Sequence, residues 1–263
     1  MTPSPRSPSG LLCVAANPSV DRFEDVGSLT AGGIHRPSMT VVAAGGKGLN
    51  VGRVSRTMGA TVTAAAIVGG YAGRWIESQL ASLGIEASLT WSTAETRTCV
   101  SIHDRSTGAI TELYEAGAPI DAATWDAFEE AVGVVVRSGS IGLMSVSGSV
   151  MLGTPPNAYR RLCDVAKAAG IRVAVDASGP ILVETLAARP WLIKVNAEEA
   201  GSAVGHAIRN QADALAAATA IRQRTGGAAV VTRGAEGAVL VTAEGAWAAT
   251  PPAAGPSGRR KPD

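Results

Sequence analysis

The stretch "GGKGLN", residues 45–50, is the densest group of residues able to do chemistry. Gly45, Gly46 and Gly48 let backbone amides approach a ligand closely. A helix expected to begin near Gly48 adds the positive end of its dipole, so a phosphate or a set of sugar hydroxyls suits the turn. Two nucleotide motifs do not fit here. A Walker A loop needs Ser or Thr after the lysine, where this chain has Gly48, and the dinucleotide fingerprint needs a third glycine where it has Val51. Read alone, the turn serves equally well as tight packing of a helix on a strand.

Four other stretches carry candidate side chains. In "NPSVDR", Asp21 is expected at the C-terminal end of the first strand, the edge where open α/β sheets bind ligands; its carboxylate either accepts from sugar hydroxyls or caps a turn. In "ETRTCV", Arg97 stands at the root of an expected hairpin, as a phosphate fork or a solvated edge residue. "KVNAEE" sets Lys194, Asn196 and Glu199 after a strand, with the N-x-x-E spacing directing both polar side chains to one side of a helical turn, for a ligand or for helix capping. "VVTRGAEGAVLV" holds Thr232, Gly234 and Gly237 in a turn between two strands.

These residues need a scaffold, and the rest of the chain supplies its pattern. Short β-branched runs alternate with helical stretches, the signature of a mostly parallel sheet covered by helices. "IGLMSV" (141–146), "PNAYRRLCDVAKAAG" (156–170) and "IRVAVD" (171–176) read as one βαβ unit. Trp125, Phe128, Val132 and Val135 form the apolar stripe of a helix lying on the sheet. Residues 22–44 and 88–118 break the alternation, the second as a hairpin turning at "RSTG", and together would form a small projecting sheet.

Composition narrows the partners. The 263 residues hold 23 Lys and Arg against 22 Asp and Glu, scattered along the chain, so no broad basic face gathers nucleic acid or a membrane surface. The anion is therefore small. Cys13, Cys99 and Cys163 lie far apart and odd in number, which suits a reducing cytoplasm and implies no metal site. Residues 1–10 read as a loose Pro/Ser-rich tail, and "LLCVAA" is too short for a signal or membrane segment.

In order, N-P-S-V-D, G-G-K-G-L-N, E-T-R-T, S-G-S, V-D-A-S-G, K-V-N-x-E-E and T-R-G-A-E-G make a series that resembles the PfkB or ribokinase-like carbohydrate kinases, nearest the 1-phosphofructokinase and tagatose-6-phosphate kinase branch. The resemblance runs from about residue 11 to about residue 252. It implies an α/β fold: a ribokinase-like, Rossmann-type core of mostly parallel sheet with helices on both faces, and a small β lid formed by residues 22–44 and 88–118. By motif, Asp21, Gly45, Gly46 and Asn50 would hold the sugar. Lys47 and Arg97, with Glu115 on the lid, would meet the phosphate it already carries. Lys194, Asn196, Glu199, Thr232, Gly234 and Gly237 would face ATP, with Asn196 and Glu199 organising Mg2+ indirectly. The implied reaction is ATP-dependent phosphorylation of a hexose phosphate, fructose 1-phosphate to fructose 1,6-bisphosphate, in the cytoplasm, by a homodimer paired through the lid. A tagatose-6-phosphate kinase is the alternative.

Two departures from the resemblance follow. Val195 stands where the family has Pro, leaving both polar residues of the N-x-x-E turn in place. The family's G-A-G-D, which supplies an anion hole and the catalytic aspartate, has no counterpart, and "GPSGRRKPD" stands where it is expected. Residues 253–263 thus read as an aberrant tail on a C-terminally truncated chain, no catalytic residue is assigned, and impaired phosphoryl transfer is expected. A non-catalytic sugar-phosphate-binding protein and a nonfunctional fragment are the competing readings.

Overall fold

A computed structural model describes residues 9–252. Its main sheet collects nine of the strands among these residues in the order β13-β12-β11-β10-β9-β8-β1-β4-β5. They are β1 (Gly10–Ala15), β4 (Val62–Val68), β5 (Glu86–Trp91), β8 (Ile141–Ser147), β9 (Arg172–Asp176), β10 (Leu192–Asn196), β11 (Ala228–Thr232), β12 (Ala238–Val241) and β13 (Ala246–Ala249). From β5 to β11 every pairing is parallel, and the antiparallel pairings are those of β12, with β11 and with β13. Every residue of β4 is buried, as a parallel strand covered on both faces requires.

Helices cover both faces because alternate residues of β1 point opposite ways. Cys13 and Ala15 join Leu49 of α1 (Lys47–Thr57) and Ile76 and Leu80 of α2 (Gly70–Ser82) in one core. Leu12 and Val14 join the other, under α3 (Ala122–Arg137) and α4 (Ala158–Ala168) and, further along, α5 (Gly179–Thr185), α6 (Ala197–Val204) and α7 (Gln211–Thr225). Helix α3 is capped by Asp121, which accepts from the Thr124 amide at 2.8 Å. Its buried stripe is Trp125, Phe128, Val132 and Val136, while the expected Val135 is only half-buried. One residue of drift follows from the 3.6-residue turn, which places i+11 more squarely under i than i+10.

A second sheet, order β3-β2-β6-β7, is built from β2 (Ser19–Val26), β3 (Met39–Gly45), β6 (Thr98–Asp104) and β7 (Ile110–Tyr114). The expected hairpin is present, β6 and β7 pairing antiparallel on either side of "RSTG". The expected lid segment 88–118 begins too early, because residues 88–91 belong to β5 and pair with β4 in the main sheet. Leu89 packs into the core beside α1 and α2, which an alternating edge strand can do and a projecting lid cannot. Gly10 opens β1, so the expected N-terminal tail is shorter at that end; its residues 1–8, and the expected tail 253–263, lie outside the described residues.

Candidate functional site

Chain order in the main sheet reverses between β1 and β8: β4 and β5 follow on one side, β9 to β11 on the other. Loops leaving the C-terminal ends of two such strands diverge and open a crevice. A cavity of about 370 Å³ lies there, between Asn17 and Ser19 after β1, Gly46, Lys47 and Asn50 at the head of α1, Ser147, Gly148 and Ser149 after β8, and Asp21, Arg97, Cys99 and Tyr114 of the lid.

Asp21 belongs to lid strand β2, three residues beyond the loop that leaves β1, where an end-of-strand position was expected. Strand β2 crosses to the second sheet and brings the carboxylate back over the crevice. Ser19 donates its hydroxyl to Asp21 Oδ1 at 2.5 Å, and the Gly46 amide approaches Oδ2 at 3.4 Å. The carboxylate occupies the space that a Cβ on Gly45 would fill. Gly46, at φ 87°, takes the left-handed conformation that starts α1 at Lys47. The glycines of the turn thus serve Asp21 as much as the helix.

Lys47, in the cavity wall, is ion-paired. Its ammonium stands 2.9 Å from Asp176 Oδ1 and 3.2 Å from Glu199 Oε1, and Lys194 reaches the other Asp176 oxygen at 2.9 Å. Partial burial pulls the Lys47 ammonium down, but hydrogen bonds and charge from Asp176 and Glu199 outweigh it and hold its pKa above the usual lysine value. Asn196 and Glu199 form a reciprocal capping box on α6: Asn196 Oδ1 accepts from the Glu199 amide at 2.8 Å, and Glu199 Oε2 accepts from the Asn196 amide at 2.9 Å. The capping aims the remaining oxygen, Oε1, at Lys47.

Arg97 is likewise occupied. Its Nε, Nη1 and Nη2 donate to the carbonyls of Pro18, Glu115 and Asn17 at 3.4, 2.9 and 3.1 Å, which binds the lid to the loop after β1 and leaves two N–H groups of the five. Glu115 accepts from the Thr98 amide at 2.8 Å and holds the start of β6; it is not in the cavity wall. Thr232 lies opposite Asn196 across β10 and β11 and donates to the Val195 carbonyl at 3.4 Å; Gly234 and Gly237 shape the turn into β12. These residues share the C-terminal edge of the sheet with Lys194, Asn196 and Glu199.

Asn17, in the cavity wall, donates to Ala116 and Ser149, while its buried Oδ1 has no partner among the described residues. An orphan acceptor in a polar hollow is a place for a ligand hydroxyl. Three participants escaped sequence reasoning: Asn17, Asp176 and Arg53, the last bonded to Asn50 Oδ1 at 2.9 Å. Asp176 and Asn17 both fall within motifs of the recognised series. Their roles were hidden because each depends on a partner more than 90 residues away.

Residues 10–255 match the family described as pfkB family carbohydrate kinase. The chain belongs to that family. A 1-phosphofructokinase of Rhodobacter capsulatus is 31% identical over 240 residues, 91% of this chain and 76% of the relative. A tagatose-6-phosphate kinase of Staphylococcus epidermidis is 32% identical over 211 residues, 79% of this chain and 66% of the relative. Among solved structures, Escherichia coli phosphofructokinase-2 in complex with fructose-6-phosphate superposes with a TM-score of 0.85 at 26% identity, covering 94% of this chain and 81% of that one. The pfkB fold is thus the α/β core and second sheet described above, and membership makes the protein a carbohydrate kinase, a phosphotransferase with ATP as donor. Its relatives act on sugar phosphates. No helix among the described residues is long and apolar enough to cross a membrane.

Proposed function

We propose that this pfkB kinase phosphorylates a hexose phosphate, fructose 1-phosphate to fructose 1,6-bisphosphate, with tagatose 6-phosphate as the competing acceptor. One observation carries the reading: under the lid, the cavity wall gathers a held carboxylate at Asp21, the Gly46 amide, Asn50 and an unpartnered acceptor at Asn17. That is a set of groups suited to several hydroxyls of one sugar. Asp21 accepts from the sugar and is kept in place by Ser19. Gly45 and Gly46 leave room for it, and Asn50 contributes from the first turn of α1. Arg97 keeps the lid strand registered on the sugar loop and offers the cavity its two remaining N–H groups.

ATP belongs on the neighbouring edge, beside Lys194, Asn196, Glu199, Thr232, Gly234 and Gly237. Mg2+ fits here too. Asp176 and Glu199 present hard carboxylate oxygens to a single point, now taken by the Lys47 ammonium, and such oxygens are the donors that Mg2+ selects. Asn196 acts indirectly, by fixing Glu199. The ion supplies charge neutralisation of the nucleotide phosphates when bound. Three buried, unpaired cysteines support a cytoplasmic setting; burial pushes the thiols of Cys13 and Cys163 up to about 12. Exposed Ile110 and Leu113 on β7, an edge strand of the lid, support pairing of two copies there.

Each cleft carboxylate among the described residues already has cationic or hydroxyl partners, so none stands ready as the base for the attacking hydroxyl. Residual phosphoryl transfer is therefore the reading for residues 1–263, against a pure binding protein. An ADP-release assay with fructose 1-phosphate, tagatose 6-phosphate and fructose tests it. Dependence of ADP release on one of the two sugar phosphates supports the kinase; calorimetric binding without any turnover supports the binding protein; neither binding nor turnover defeats both.

A further inference from the structure

A hollow of about 280 Å³ opens at the opposite edge of the main sheet from the sugar cleft, where β9 and β10 begin. These two strands share two paired positions, Ala174 with Leu192 and Val175 with Ile193, the shortest pairing in that sheet. Arg172 and Val173, at the start of β9, therefore have no ladder neighbour on the β10 side, and the gap between the strand starts becomes the hollow. Its floor is apolar, with Cys163 and Val173 buried.

Its rim is cationic. Lys167 comes from the last turn of α4, Arg172 from β9, and Arg189 from the turn that leads into β10; Trp191, 44% exposed, stands between them. No carboxylate lines the hollow, and none of the three cations has an ion-pair partner among the described residues. Asp164, on the same helix as Lys167, is turned to Arg160 at 3.9 Å. The Arg172 guanidinium lies over the Trp191 ring, 5.4 Å from its centroid, and stacking of this kind uses the face of the fork and leaves its N–H edge free. Arg189 gives Nε to the Thr225 carbonyl at 3.1 Å, which holds the guanidinium in place with four N–H groups to spare. Three like charges around one apolar floor repel one another, and an anion seated among them removes that repulsion.

We infer that this hollow is a second anion site, built for a compact polyanion of the phosphate-ester or pyrophosphate class. Its volume lies below the usual range for drug-sized ligands, which favours such an ion over a nucleotide. The site is separate from the sugar cleft: Arg172 and Asp176 stand at opposite ends of β9, four steps of about 3.3 Å apart. An anion bridging Arg172 and Arg189 ties together two strand starts that the ladder leaves apart, and so stiffens the strands that carry Asp176 and Lys194 at their far ends.

Tryptophan emission and calorimetry on the full chain at constant ionic strength test this, with inorganic phosphate and pyrophosphate as probes. Pyrophosphate is expected to bind more tightly than phosphate, to change an emission component that is missing in Trp191→Phe, and to slow amide exchange at the starts of β9 and β10. Arg172→Gln and Lys167→Gln are each expected to weaken pyrophosphate by about fivefold or more while keeping the parent melting temperature. Arg189→Gln is expected to do the same, but it also removes the donor to Thr225, so the other two variants carry the decision. Unchanged pyrophosphate affinity in both Arg172→Gln and Lys167→Gln places the anion in the sugar cleft and overturns the inference. An emission change that survives intact in Trp191→Phe, or that chloride reproduces at the same ionic strength, overturns it as well.

Discussion

Lys47, the first residue of the helix at the sugar turn, forms a 2.9 Å ion pair with Asp176, 129 positions away at the end of β9. With Glu199 3.2 Å from the same ammonium, one side chain joins the glycine turn at the head of α1 to the ends of β9 and β10. Lys47→Met is expected to cost at most about 1 kcal/mol in global stability, because the lysine is nearly half exposed and such pairs are screened. Because the paired lysine holds its proton above the usual value, that contribution is fully present at neutral pH and vanishes only as pH climbs through the folded-state pKa. The gap in melting temperature between parent and variant should therefore stay constant from about pH 6 to about pH 9. A gap that closes within that range would show the pair to be something else.

Asp21 and Gly45 share one volume. Asp21→Asn keeps the shape but loses the charge, and is expected to weaken sugar binding by about 1.5–3 kcal/mol with little change in melting temperature. Gly45→Ala drives a methyl into the space of the carboxylate, so it should lose binding as badly with Asp21 still present. Calorimetry with fructose 1-phosphate compares them directly. Normal affinity in Gly45→Ala would mean that Asp21 has another place to stand.

Removing the Arg97 side chain strips three backbone carbonyls of their donor and unties the lid from the loop after β1. Arg97→Ala is expected to destabilise the protein by about 1–3 kcal/mol and to raise amide exchange in β6 and β7 first. Hydrogen exchange read by mass spectrometry checks this. Uniform exchange across the lid and the core would contradict a local tether.

At the tip of the hairpin, the Ser106 hydroxyl, at 2.7 Å, and the Ser106 amide, at 2.8 Å, donate to Asp104. The hydroxyl bond is the largest cause holding that carboxyl down at about 2, against burial, which raises it. A depressed folded-state pKa stabilises above the unfolded value of 3.8 and is lost as pH falls from there toward about 2. Asp104→Asn should melt below the parent chain at neutral pH, and the difference should shrink across that acid window, most of it gone as pH falls through about 2. Melting curves taken at stepped pH decide it, and a difference as large at pH 2 as at neutral pH counts against the turn.

The parallel sheet, the hairpin and the glycine turn were legible in the chain because each depends on neighbours within a few residues. Alternating apolar runs, the helical stripe from Trp125 to Val132, and a turn residue such as Gly46 declare themselves locally. The family, too, could be read from the order of short motifs. What the chain could not declare was which ambiguous side chain faces which. Which groups Arg97 and Lys47 meet in the folded chain was hidden, because a lone cation offers no sign of its partner. Only the crossing of β2 into the second sheet brings Asp21 over the crevice, and only the adjacency of β9 and β10 at one sheet edge sets Asp176 and Glu199 against Lys47. Charge pairing between residues a hundred or more positions apart is settled by strand order, and strand order is a property of the packed sheet as a whole.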